Sequence, residues 1–226
     1  MNTFLLILLA FFPGLAIAFF FYLRDLREPE PSGLLLLNLL FGAAAFFISR
    51  GIGFLLHNFI YTEATGSMQQ LVSAFVFVGL LGEGFKFLFL RGMTFYNKSF
   101  NQPFDGIVYA IMVGMGYTIA ENLLYVISGD MDTAMLRMIT AAPANAVFAV
   151  IMGYFLGEAK LIKSKMFLYS LLALLLAAFA HGYYDYFMQM MNVKGLWMQA
   201  GISLVIVVVL TQMAFRRRKD SFISEE

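Results

Sequence analysis

The chain has 226 residues, 61% of them hydrophobic and only 13% charged, with a formal net charge of +1 and a mean hydropathy of +0.80. So little polar surface cannot wrap a soluble domain of this length, and no nucleic-acid partner is expected. The absence of cysteine excludes disulfides, Fe–S clusters and a thiol nucleophile.

Runs of about 20 apolar residues, each able to cross a bilayer core, predict an all-α polytopic membrane protein, a bundle of about seven transmembrane helices. In chain order the expected spans are Thr3–Leu23, Leu34–Leu56, Leu71–Leu90, Asp105–Ile127, Leu136–Glu158, Phe167–Met188 and Leu196–Phe215. The first lacks a basic start, and no small-residue cleavage site precedes "RDLREPEPSG". It is therefore expected to stay on the chain rather than leave as a signal peptide. "REPEPSG" and "NKSFNQPFDG" read as short turns before the second and fourth spans. No soluble domain and no internal repeat is visible, so residues 1–226 are expected to form one integral-membrane unit.

Basic residues alternate between loops. Arg24 and Arg27 lie in the first, Arg91 and Lys98 in the third, Lys160, Lys163 and Lys165 in the fifth, and Arg216 to Lys219 in the tail. The second and fourth loops carry none, and the sixth only Lys194. The positive-inside rule then places the N-terminus outside and the C-terminus in the cytoplasm of a multi-pass cell-membrane protein.

Arg50, Glu83, Lys86, Glu121, His181 and Asp185 fall within or near the ends of spans. Each charge near mid-bilayer costs about 2.5–3.5 kcal/mol on insertion scales, so these groups should face one another or a wet cavity. Glu83 and Lys86 are three apart and share a helix face; His181 and Asp185, four apart, share another. At about 1.5 Å per residue, Glu121, His181 and Asn145 fall roughly 9–13 Å below the outer ends of their spans, and Glu83 about 18 Å. Taken singly, each has a structural reading as well. Glu83–Lys86 reads as an ion pair, Glu121–Asn122 as a helix–helix hydrogen-bond node, and Arg50 as a snorkelling cation. Gly153 and Gly157 read as close-packing residues, and His57, expected in the second loop, as incidental.

With two histidines in the chain and no HExxH, a zincin-type site is excluded. Neither GxSxG nor a GxGD with a second intramembrane Asp is present. What remains is carboxylate chemistry. A carboxylate in a low dielectric can take a proton from water near neutral pH, and His181 could polarise a scissile amide, with Asp185 orienting it. A proton-coupled transporter stays open on the same residues, although no inverted repeat or paired broken helix supports it.

From "YLRDLREPEP" to "HGYYDY" the chain resembles the PrsW family of intramembrane proteases. "GEGFK" stands where that family has Glu-Glu-x-x-Lys. "FDGIVYAIMVGMGYTIAENLLYV" is similar to its fourth-span signature, with Glu121 at the family's Glu and Tyr117 where a Phe is usual. "PANAVFAVIMGYFLGEAK" and "HGYYDY" match the two blocks that follow. The resemblance implies a site-one endopeptidase cutting the extracytoplasmic part of single-span anti-sigma factors. A distant similarity to CAAX-processing proteases implies a glutamate-activated water. Catalytic positions carried over are Glu83, Lys86, Glu121, Asn145, His181 and Asp185. Glu83 and Glu121 would handle water, Lys86 would tune Glu83, and the other three would orient or stabilise. No cofactor is required by this reading; a divalent metal is left open, and one His among carboxylates is a poor zinc set. Two departures touch the chemistry: Gly82 replaces the first Glu of the motif, and Asn145 replaces a His. The chain is therefore expected to be an impaired protease, with an inactive homologue that binds membrane segments as the alternative. The expected partners are a single-span membrane protein and the bilayer itself; the sequence leaves the oligomeric state open.

Overall fold

The computed structural model describes residues 3–25, 28–60, 67–128 and 131–190, with isolated positions 209, 212, 213 and 216 beyond them. Among the described residues every regular element is helical, and six helices are long and apolar enough to cross a membrane. They are α1 (Thr3–Arg24), α2 (Ser32–Ile60), a composite third span, α5 (Pro103–Ser128), α6 (Met131–Leu161) and α7 (Met166–Met190). The expected seventh span, Leu196–Phe215, lies outside the described residues apart from three single positions. α2 runs to Ile60, so His57 belongs to its last turn and not to a loop.

The third span, Met68–Thr94, is the irregular one. It joins α3 (Ser67–Val72), a π-helical stretch (Ser73–Gly82), α4 (Glu83–Phe89) and a second π-helical stretch (Leu90–Thr94). Hydrogen bonds running i→i+5 put more residues in each turn, so the span climbs less per residue and its side chains are re-aimed.

α5 and α6 form the centre. Their apolar windows are 83% buried, whereas those of α1, α2, the third span and α7 are only 28–33% buried and ring the hairpin with their outer faces turned to lipid. Backbones touch at the crossings. A Cβ at Gly42 of α2 would lie 1.9 Å from the Val113 carbonyl oxygen of α5, and one at Gly153 of α6 would lie 2.3 Å from that of Gly106. Small residues let the main chains meet where lipid supplies no hydrophobic drive of its own, so dispersion across close-packed backbones holds the bundle. The third span is fastened differently. Its Gly79 packs on α7, where a Cβ would fall 2.5 Å from the Ala178 carbonyl oxygen.

Polar ties fix the remaining registers. Thr94 Oγ1 donates to Asn38 Oδ1 at 2.8 Å, joining the third span to α2. Asn122 Nδ2 reaches the Ala10 carbonyl of α1 at 3.4 Å, so this residue is a helix–helix tie. Lys160 Nζ donates to the Phe95 carbonyl at 2.5 Å, closing the end of the third span.

Candidate active site

Glu83 opens α4 directly after the π-helical stretch and is completely buried. A bare carboxylate there would be prohibitive, and two elements supply its partners while a third holds Lys86. Lys86, one turn on and 2% exposed, donates from Nζ to Glu83 Oε1 at 2.6 Å. His181 of α7 places Nδ1 2.7 Å from the same oxygen. Asn145 of α6 accepts a second Lys86 hydrogen bond on Oδ1 at 2.8 Å. Its Nδ2 donates back to the Ala141 carbonyl at 3.2 Å, in the turn that Pro143 weakens. The cluster therefore draws on the third span, α6 and α7, and one carboxylate oxygen carries both the Lys86 and the His181 contact. Glu83 Oε2 is buried with no hydrogen-bond partner among the described residues. With Nδ1–H of His181 donating to Glu83, the other ring nitrogen, Nε2, is left for a further partner.

Aromatic rings frame this cluster. The Lys86 ammonium lies 4.2 Å from the centroid of Tyr117, a cation–π contact strengthened by exclusion of water. Phe148 stacks on His181 at 4.6 Å and 19°, and Tyr117 meets the same imidazole edge-on. Neither ring stood out in the sequence as a site residue. Helical spacing offered a signal for both, since Tyr117 precedes Glu121 by four and Phe148 follows Asn145 by three.

Glu121 stands elsewhere. It lines a cavity of about 450 Å³ between α2, the π-helical stretch and α5, together with Arg50, Ser49, Ser73 and several aromatic side chains. Tyr117 belongs to both places, forming cavity wall on one side and the Lys86 contact on the other. Asp185 follows His181 by one turn of α7 and is half-buried. The structure thus brings Glu83, Lys86, Asn145 and His181 into one hydrogen-bonded cluster and places Glu121 in the adjoining cavity. Gly82 faces the same ring: a Cβ there would sit 3.0 Å from Tyr117 Oη.

The sequence matches the family described as PrsW family intramembrane metalloprotease over residues 30–213. The chain belongs to the PrsW family. Protease PrsW of Geobacillus kaustophilus (strain HTA426) is 34% identical over 175 residues, covering 77% of this chain and 75% of that protein. Protease PrsW of Halalkalibacterium halodurans is 30% identical over 210 residues, 92% of this chain and 95% of that protein. The Bacillus subtilis (strain 168) Protease PrsW is 31% identical over 175 residues, 77% and 78% of the two chains. No solved structure matches. Membership makes this chain a multi-pass membrane peptidase of the PrsW family.

The family description includes a metal, and the donors here do not suit one. Among the described residues no three His, Cys, Asp or Glu side chains come together as a ligand set. Glu83 Oε1 is already taken by His181 and by an ammonium at 2.6 Å, and that fixed positive charge opposes a dication at the same carboxylate. No catalytic step is routed through a metal below.

Proposed function

We propose that this PrsW-family chain is an intramembrane endopeptidase that cuts a single-span membrane protein, such as an anti-sigma factor, near the extracytoplasmic side by carboxylate-activated water. The observation that carries this reading is the state of Glu83, whose carboxylate is fully buried, clamped through Oε1, and left with Oε2 unclaimed in the cluster. In this mechanism Oε2 takes a proton from water as the water oxygen attacks the scissile carbonyl carbon. Lys86 compensates the charge of the Glu83 carboxylate, and His181 holds it in place through the contact at Nδ1. The oxyanion is stabilised by donors around the cluster, with Asn145 Nδ2 among them. The proton then passes from Glu83 to the leaving nitrogen as the C–N bond breaks. Glu121 holds water or substrate in the adjoining cavity, and Asp185 steadies the His181 end. The N-terminus faces outward, the basic loops face the cytoplasm, and residues 1–226 act as one membrane-embedded unit.

We further propose that the chain as written turns over slowly. Gly82 removes one carboxylate beside Glu83, and Asn145 gives a donor that cannot relay protons. The test is cleavage of a single-span substrate in intact cells by the chain as written, by Gly82→Glu/Asn145→His, and by the same double variant with Tyr117→Phe. The third form is needed because a side chain at position 82 starts against Tyr117 Oη. A restored base and proton relay should raise the rate about 10²–10⁴-fold, with Tyr117→Phe giving the larger gain. The released fragment should appear outside the cell. Equal rates for all forms would overturn the impairment, and a fragment released into the cytoplasm would overturn the orientation.

A further inference from the structure

The cavity beside Glu121 has two properties that a packing defect between helices lacks. Its lining includes Arg50, and its mouth is exposed. Phe54 at the mouth is 74% exposed, so the space opens laterally between α2 and the π-helical stretch. The opening follows from the crossings: α2 is drawn onto α5 at Gly42, while the third span is drawn onto α7 at Gly79. The two elements are held by different partners, and at the cleft they meet through side chains, a Cβ at Gly53 lying 3.7 Å from the Phe77 ring. Among the described residues no carboxylate pairs with Arg50. Glu121 lines the same cavity without forming an ion pair to Arg50, so the guanidinium is left to take an anionic group from a bound ligand.

We propose that this cavity is the docking cleft for the segment of substrate next to the cleaved bond, and that Arg50 selects an acidic side chain in that segment. The proposal rests on the protease reading above and names a substrate feature that reading leaves open. Size argues for a short stretch of polypeptide. One helical turn, about 10–12 Å wide and 5.4 Å tall, fills roughly 500 Å³, so about 450 Å³ takes one turn or its unwound equivalent and no more. Chemistry argues for a peptide over a lipid phosphate. Arg50 and Glu121 present both signs, with Ser49 and Ser73 beside them. That mixture suits a main chain with both N–H and C=O groups, and Glu121 repels a phosphate. Phe46 and Phe77 supply apolar walls for the flanking side chains. Tyr117 separates this cleft from Lys86 and Glu83, so a docked segment lies one aromatic ring from the cluster.

The chain has no cysteine, which makes disulfide capture in proteoliposomes direct. Single cysteines at Phe54 and Phe77 mark the cleft, and one at Phe12, exposed on α1, marks a lipid-facing surface away from it. The probes are synthetic single-span helices with an extracytoplasmic extension bearing one cysteine and, four residues away, Asp, Asn or Lys. Capture is expected at Phe54→Cys and Phe77→Cys but not at Phe12→Cys. The Asp probe should be favoured about tenfold over Asn, the scale of one charged hydrogen bond in a partly desolvated site. Arg50→Gln should abolish the preference and Arg50→Asp should turn it toward Lys; the neutral variant keeps the test sound should the reversal fail to fold. Equal capture at Phe12, no capture in the cleft, or a charge preference unchanged by either Arg50 variant overturns the proposal. If the Gly82→Glu/Asn145→His chain cleaves while capture falls elsewhere, the cleft is wrong and the protease reading stands. If capture follows the charge rule and no form cleaves, the cleft stands as a binding site and the protease reading falls.

Discussion

At the residue scale, Lys86 is the neutralising partner in a site where an unpaired charge would be intolerable. It touches Glu83, Asn145 and the Tyr117 face at once. Removing one member of a buried pair costs about 3–5 kcal/mol because the other is stranded, while removing both together is far milder. Lys86→Met should therefore lower stability by that order, and Glu83→Gln/Lys86→Met should recover most of the loss. Thermal unfolding in detergent measures both. A Lys86→Met protein as stable as the parent would show that the burial of Glu83 does not depend on the ammonium.

At the element scale, the bundle depends on backbone contact at a few glycines, while others such as Gly84 stand in open space. Position 42 meets a carbonyl oxygen at 1.9 Å, whereas a Cβ at Gly84 would meet nothing within 4 Å. Gly42→Ala should force α2 away from α5 and cost about 1–3 kcal/mol, the usual range for overpacking. Gly84→Ala, one residue from Glu83, should gain up to about 1 kcal/mol from helix propensity. The same unfolding measurement separates them. A loss at Gly84 matching that at Gly42 would show that α4 is less open on that side than its surroundings indicate. The π-helical stretch belongs to this scale as well, because its winding turns Glu83 and Lys86 toward α6 and α7.

At the scale of the whole molecule, the turn between α1 and α2 is tied to the central hairpin by a buried acid. Glu30 is 7% exposed and accepts a hydrogen bond from the Tyr109 hydroxyl of α5. Burial pushes its carboxyl up to about 8 from an ordinary 4.5, with the Asp105 and Asp25 charges adding to the rise and the Tyr109 contact opposing it. A raised folded-state value means the folded chain keeps a proton that the unfolded chain has released. The stabilisation is full below about pH 5 and is lost as pH rises toward about 8. The unfolding temperature should therefore fall across that window, and Glu30→Gln, which keeps the Tyr109 partner, should flatten the slope. An unchanged slope in Glu30→Gln would assign the dependence to other groups.

Apolar runs of membrane-spanning length dictated the helical bundle, because a bilayer leaves a backbone few other ways to satisfy its hydrogen bonds. The cost of burying charge likewise made Glu83, Lys86 and His181 legible as a set before any contact was known, and Gly153 legible as a close-packing position. Tertiary structure decided the rest. Which helix each polar face meets depends on crossings such as Gly79 on α7, and no local pattern encodes those. The π winding just ahead of Glu83 departs from regular α-helical geometry, and no local pattern in the sequence announces it. Tyr117 looked like an ordinary aromatic in an apolar run, and its place between cleft and cluster exists only once α5 lies beside the third span. The same holds for the separation of Glu121 from Glu83. Both are carboxylates within apolar spans, but one ring between them gives one a buried cluster and the other an open cavity.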